Sequence, residues 1–235
     1  MRANGFTTLG VIFFLLILLV TATSVFAQTV FPGVSTGETF DYSYILIWTS
    51  TDPAATPPSE LVEYNNTQKI QFRITDVSGS ILTLDFIRHF RNGTQTVQSG
   101  TINLESGLTT APYGFLIIGA NLAKNQRVYP NGGHQVITDT VMRSYSSGER
   151  ETNVLGGEDS TQKTIIYFDK VKGIAVDYSY TLYSASDGYS VTSAERMINT
   201  NSDVWIAAPP PPTPGPTSQR TATPTQSAFP TVKGT

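Results

Sequence analysis

Residues 164–183 read TIIYFDKVKGIAVDYSYTLY. In the second half, Ile174, Val176, Tyr178, Tyr180 and Leu182 alternate with Ala175, Asp177, Ser179, Thr181 and Tyr183. Side chains on a strand point to opposite faces in turn, so this pattern predicts a long strand with one buried face. The run Ile165-Ile166-Tyr167-Phe168 predicts its partner. Between them, Asp169-Lys170-Val171-Lys172-Gly173 predicts a hairpin loop, with Gly173 supplying a positive φ. The reading places this hairpin at the centre of a large antiparallel sheet.

The same alternation recurs on both sides. Phe40, Tyr42, Tyr44, Leu46 and Trp48 share one face of a predicted strand. Lys69–Val77 and Ile81–Phe90 form a hairpin around Ser78-Gly79-Ser80, and Asn92-Gly93 turns the chain into a more polar strand, Gln95–Leu104. Further strands are expected at Gln135–Tyr145, Glu149–Leu155, Tyr189–Ile198 and Ser202–Ile206, the last closing the domain on Trp205. Pro53, Pro57 and Pro58 make Ser50–Ser59 an exposed loop, and Gly156–Gln162 reads as a polar loop. Ala111–Ala123 does not alternate. Phe115, Ile118 and Leu122 fall at helical spacing after Pro112, which predicts a short helix or an apolar loop over the sheet. The fold class is therefore all-β or mainly β: a large curved antiparallel sheet, a meander or half-barrel, with one short helix or apolar loop packed over it. Asp41-Tyr42-Ser43-Tyr44 returns as Asp177-Tyr178-Ser179-Tyr180, which reads as two strands with similar burial needs.

Composition narrows the class further. Charged residues are 14%, against a usual quarter, and Thr, Ser, Asn and Tyr carry the polar role. A net charge of -3 gives no basic footprint for nucleic acid. The absence of Cys excludes a disulfide framework and a thiolate nucleophile.

The two ends differ from the middle. Arg2 precedes the apolar run Leu9–Val20, and Val25 and Ala27 stand at the -3 and -1 places of a secretory cleavage point. Residues 1–27 read as a cleaved signal peptide, or as an N-terminal membrane anchor using residues 6–26. Gly5-Phe6-Thr7-Thr8-Leu9 also resembles the start of type IV pilin-like precursors, although Gly10 stands where that family carries a glutamate. Residues 28–206 form a single β-rich extracytoplasmic domain. From Ala207 to Thr235 eight of the fourteen prolines accumulate among Thr and Ser, which predicts a disordered tail of polyproline II character.

The folded part resembles a group of uncharacterised, secreted β-rich archaeal proteins with Pro/Thr-rich C-terminal tails. The likeness rests on Ala120-Asn121-Leu122, on Thr140-Val141 with Arg143-Ser144-Tyr145, and on Gly148-Glu149-Arg150-Glu151-Thr152-Asn153. Tyr167-Phe168-Asp169-Lys170, Gly173-Ile174 and Trp205 complete it. It implies export to a cell surface and no particular activity, and it carries over no functional residue. The layout is also similar to half-barrels that carry lipids or lipoproteins, a comparison of folds alone.

Sites of chemistry are sparse. His89 and His134 have no spacing that links them to other metal ligands. There is no Gly-x-Ser-x-Gly elbow, phosphate loop or HExxH. No catalytic, cofactor-binding or metal-binding residue is assigned, and no cofactor is expected. Glu149/Glu151 and Glu158/Asp159 read as solvated charges, with weak Ca²⁺ binding or a two-carboxylate hydrolase as alternatives. Asn65 and Asn92 head glycosylation sequons. The aromatic content of 11% matters most. Tyr44, Trp48, Phe72, Phe86, Tyr178 and Tyr180 from the sheet, with Phe115, Ile118 and Leu122 above it, outline a candidate apolar cleft for a lipid-like ligand. The leading expectation is an exported, non-enzymatic cell-surface module. Its membrane contact runs only through the N-terminal segment, and its partners are cell-envelope components or such a ligand.

Overall fold

The computed structural model describes residues 28–145, 148–186 and 189–202. The N-terminal apolar run, Trp205 and the Pro/Thr-rich tail lie outside the described residues. Nine strands form one antiparallel sheet. They are β1 (Thr39–Ser50), β2 (Thr67–Ser78), β3 (Ile81–Phe90), β4 (Gln95–Asn103), β5 (Asp139–Tyr145), β6 (Gly148–Glu158), β7 (Gln162–Asp169), β8 (Ala175–Ser186) and β9 (Tyr189–Ser202). One short helix, α1 (Ser59–Asn65), packs alongside.

The strand order is β4-β3-β2-β1-β9-β8-β7-β6-β5. Two sequential meanders, β1–β4 and β5–β9, are thus joined by one long-range seam, β1 with β9, from Phe40↔Ser202 to Ser50↔Val191. The expected Thr164–Tyr183 hairpin is β7–β8, and Gly173 has φ 67°. It does not lie at the centre. The central strand is β9, and β8 flanks it, because the seam adds four strands beyond β9 that local hairpin logic cannot see. The echoed Asp-Tyr-Ser-Tyr segments fall on the two strands that flank β9, where Tyr44 and Tyr178 both stand opposite Met197.

One face of the sheet is covered. From Leu104 to Thr138 the chain leaves the edge strand β4 and travels to the opposite edge strand β5. On the way it buries Leu104, Leu116, Ile117, Ile118, Leu122 and Val128 against Phe40, Tyr42, Phe72, Leu84, Phe168 and Val176. Burial of apolar area at about 25 cal/mol per Å² drives this packing. The leading segment lies over the crossing chain: Val30 and Val34 are buried, and Ala120 N–H donates to the Phe31 carbonyl at 2.9 Å. The other face carries ion pairs instead. Asp41 meets Lys69 at 3.1 Å, and Asp177 meets Arg196 at 3.0 Å and Arg143 at 3.5 Å. Arg143 also lies 3.7 Å from the Tyr167 ring centroid.

Ala111–Ala123 takes the loop alternative of the sequence reading, with a single 3-10 turn at Gly114–Leu116. Two strand boundaries and the place of the helix differ from that reading. A helix is blocked by the left-handed backbone at Tyr113 (φ 53°) and Asn121 (φ 56°), and by Ile118 N–H, which bonds to Gly173 O. The helix is instead α1, directly after the Pro-rich loop. The strand expected from Gln135 begins at Asp139, because Val136 pairs with Arg127 inside the crossing segment. The loop expected at Gly156–Gln162 shortens, since β6 runs on to Glu158.

Candidate functional site

A cavity of about 540 Å³ opens on the covered face, where the returning leg of the crossing segment stands off β6, β7 and β8. Leu155, Ile166, Tyr178 and Tyr180 form its floor, and Phe115 and Val136 its walls. Gln135, Thr138 and Thr164 supply a few polar groups. Period-two alternation explains the floor: Ile166 and Tyr178 are register partners on β7 and β8, and Leu155 stands beside them on β6. Gly157 keeps space open, whereas Gly156 lets the β7 backbone approach closely. A Cβ at Gly156 would stand 2.5 Å from the Thr164 carbonyl, whereas one at Gly157 would meet nothing within 4 Å.

A second cavity of about 200 Å³ adjoins it across Tyr180, which lines both. Its walls are Tyr44, Tyr64, Tyr113 and Tyr180 around the carboxylate of Glu195. Glu195 stands on β9 directly opposite Leu46 on one side and Tyr180 on the other. The Tyr113 hydroxyl donates to Glu195 Oε1 at 2.5 Å, and the Tyr178 hydroxyl approaches Oε2 at 3.5 Å. Burial first, and then the Glu195 charge, pushes the Tyr44, Tyr113 and Tyr178 hydroxyls above the ordinary phenol range. Burial raises Tyr129, on the rim of the larger cavity, to about 12. These phenols remain neutral donors at physiological pH.

An unbroken series of ring contacts links the core to the cavities. Tyr42–Phe72, Phe72–Phe86, Phe86–Tyr113, Tyr113–Phe115 and Phe115–Tyr178 have centroid separations of 5.5, 5.7, 5.6, 5.9 and 5.4 Å. Edge and offset contacts of this kind hold rings in fixed orientations. Tyr113 is the hinge of the series. Its left-handed backbone aims the ring between Phe86 and Phe115 and its hydroxyl at Glu195.

Of the nine residues read as a cleft, four line the cavities, four lie in the core and Trp48 belongs to neither set. Phe115, Tyr178 and Tyr180 line the larger cavity, and Tyr44 and Tyr180 the smaller. Phe72, Phe86, Ile118 and Leu122 are buried in the core, and half-buried Trp48 follows Leu46 along the same face of β1. Beneath Ile118 and Leu122 the space is filled by side chains, and the open volume lies to one side. Glu195, Tyr64 and Leu155 are among the lining residues that the cleft reading did not single out. Glu195 carried a usable signal, because period two from the core residue Met197 turns it inward.

Of the candidate carboxylates, Glu149, Glu151 and Glu158 lie on β6 itself and Asp159 directly follows it. Glu151 pairs with Lys170 at 2.8 Å and Glu158 with Lys163 at 2.8 Å, while Asp159 accepts the Thr161 and Gln162 N–H groups. Among the described residues no group of three or more His, Cys, Asp and Glu side chains is arranged to hold a metal. Burial holds the His89 imidazole below the ordinary histidine range, and His134 is exposed. Asn65 is the exposed last residue of α1, and Asn92 sits in the exposed turn after β3, its Oδ1 accepting from Thr94 N–H. No family model, curated protein or solved structure matches the chain.

Proposed function

We propose that this chain is an exported, non-enzymatic module of the cell surface that holds a small, largely apolar ligand on the covered face of its sheet. The observation that carries the reading is the cavity of about 540 Å³ floored by Leu155, Ile166, Tyr178 and Tyr180. Its size falls within the roughly 300–1,000 Å³ of small-molecule sites, and its mix of apolar walls with a few polar groups is theirs too. The phenols around it favour binding over proton transfer, since neutral tyrosines donate hydrogen bonds and do not act as bases. Export is the reading of Arg2 and the apolar run Leu9–Val20, and the sequons at Asn65 and Asn92 fit a glycosylated surface. The resemblance to secreted archaeal proteins fits export, and the half-barrel comparison concerns the fold alone.

The test is titration of the full chain with N-phenyl-1-naphthylamine, a neutral apolar fluorophore. Saturable one-to-one binding is expected. Gly157→Trp fills the cavity from a position with open space beyond it, and is expected to weaken binding at least tenfold with the melting temperature kept. Phe115→Asp is expected to do the same by placing a charge at the wall. Binding that is absent in the parent, or equal in both variants, overturns the reading.

A further inference from the structure

We infer that the smaller cavity is a subsite for an alkylated ammonium group, so that the ligand is an amphiphile with a cationic head at Glu195 and its apolar body in the larger cavity. This rests on the apolar-cavity reading and adds the chemical class of the ligand.

The first observation is an unbalanced charge. Ten ion pairs join described residues, and Glu195 is in none of them. Its hydrogen-bond donors are phenols, Tyr113 at 2.5 Å and Tyr178 at 3.5 Å. A half-buried carboxylate supported only by neutral donors retains most of its negative field. The second observation is the wall. Tyr44, Tyr64, Tyr113 and Tyr180 line the same small cavity as Glu195, and a phenol ring attracts a cation to its face. The third is size. A volume of about 200 Å³ holds a headgroup and not a whole drug-sized molecule.

These features select among cations. A small hydrated metal ion demands several oxygen ligands, and this site offers one carboxylate. A primary ammonium holds its water strongly. A trimethylammonium group presents methyls to the rings, gives up little hydration, and gains both the ring quadrupoles and the carboxylate charge. The walls are set before binding. Tyr113 is stacked on Phe86, and the Arg88 guanidinium lies 4.5 Å from the Tyr64 ring centroid and holds α1 against the sheet. Tyr180 lines both cavities, and the Tyr178 ring of the larger one reaches Glu195 of the smaller. A head in one is therefore continuous with a chain in the other.

The test is calorimetric titration of the full chain with decyltrimethylammonium and with 1-decanol, both below their aggregation limits. The parent is expected to bind the ammonium compound at least tenfold more tightly. Glu195→Gln is expected to remove that preference. Tyr64→Leu, a change at a partly exposed wall residue outside the sheet, is expected to reduce the preference at least threefold. Equal affinity for the two compounds in the parent overturns the headgroup subsite and leaves the apolar cavity standing. A preference that survives Glu195→Gln also overturns it. Failure of both compounds to bind overturns the subsite and the cavity reading together.

Discussion

The Tyr113 hydroxyl donates to Glu195 Oε1 at 2.5 Å across a separation of 82 residues. The bond fastens the loop that covers the sheet to the strand at its centre. Tyr113→Phe keeps the ring stacked on Phe86 and loses only the donor. We expect a loss of about 1.5–3 kcal/mol in urea unfolding, the usual net worth of a hydrogen bond to a charged group. Tyr113→Ala also removes the ring contacts with Phe86 and Phe115 and is expected to cost about 2–3 kcal/mol more. Equal losses for the two variants would show that the ring contributes nothing.

Alkaline pH is expected to unfold the domain through its tyrosines. Burial raises Tyr42, Tyr44, Tyr113 and Tyr178 above the unfolded value of about 10. Above that pH the unfolded chain loses phenolic protons that the folded chain keeps. This contribution to stability is therefore complete below about pH 10 and is lost as pH rises further. Absorbance at 295 nm after a rapid pH jump is expected to show some of the eleven tyrosines ionising at once and the buried set only with unfolding. A single titration near pH 10 with the fold intact would contradict this.

Two glycines with similar backbones are expected to respond differently to alanine. Gly79 has φ 60° and open space where a methyl group would stand, so Gly79→Ala is expected to cost about 1 kcal/mol from conformation alone. Gly173 has φ 67°, and a Cβ there would stand 2.2 Å from the Ile118 carbonyl. Gly173→Ala is expected to cost at least about 3 kcal/mol, because the clash with the covering loop adds to the backbone strain. Denaturant midpoints of the pair decide the matter.

The helix α1 depends on Arg88. Seven residues with none buried do not sustain a helix by propensity. Arg88 donates to the Glu63 carbonyl at 2.8 Å and to Thr67 Oγ1 at 2.7 Å, with its guanidinium 4.5 Å from the Tyr64 ring centroid and 4.6 Å from that of Phe90. Lys lacks the planar fork these contacts use. In Arg88→Lys the amides of Leu61 and Val62, which donate to Pro58 O, are expected to exchange with solvent at least tenfold faster. Unchanged exchange would mean that α1 is held by something else.

On the open face, Ser99 donates to Asp85 Oδ1 at 2.7 Å and Arg73 Nε to Oδ2 at 3.2 Å. The Ser99 hydrogen bond, followed by Arg73, holds the Asp85 carboxyl below the usual range near 4. Its stabilising contribution is present above that unfolded value and fades as pH falls through the lower folded one. Asp85→Asn is expected to flatten the acid limb of the stability curve below about pH 4. An acid limb identical to the parent's would remove Asp85 from this role.

Much of the fold is legible because strands declare themselves locally. Phe40, Tyr42 and Tyr44 alternate with polar residues, and so do Ile70, Phe72 and Ile74; all six are buried. Gly79, Gly93 and Gly173 all take positive φ at the expected turns. Spacing misplaces the helix for a physical reason. Phe115, Ile118 and Leu122 share a spacing with helices, but their spacing here comes from a loop bound to Gly173 and to the leading segment. Conversely, α1 has almost no pattern of its own and is held by a side chain from β3.

Local chemistry in the chain determined the antiparallel strands, their inward faces and most of their turns, because side-chain alternation and glycine conformation are properties of short segments. Tertiary structure alone decided that β1 pairs with β9, which moved the centre of the sheet from the β7–β8 hairpin to β9. It also decided that the space under Ile118 and Leu122 is filled while that beside Leu155 and Tyr178 stays open. The meeting of Glu195 with Tyr44, Tyr64, Tyr113 and Tyr180 belongs to the same level. Five separate stretches of chain contribute to that cluster. Contacts between stretches so far apart depend on the path of the whole backbone and leave no period in the sequence.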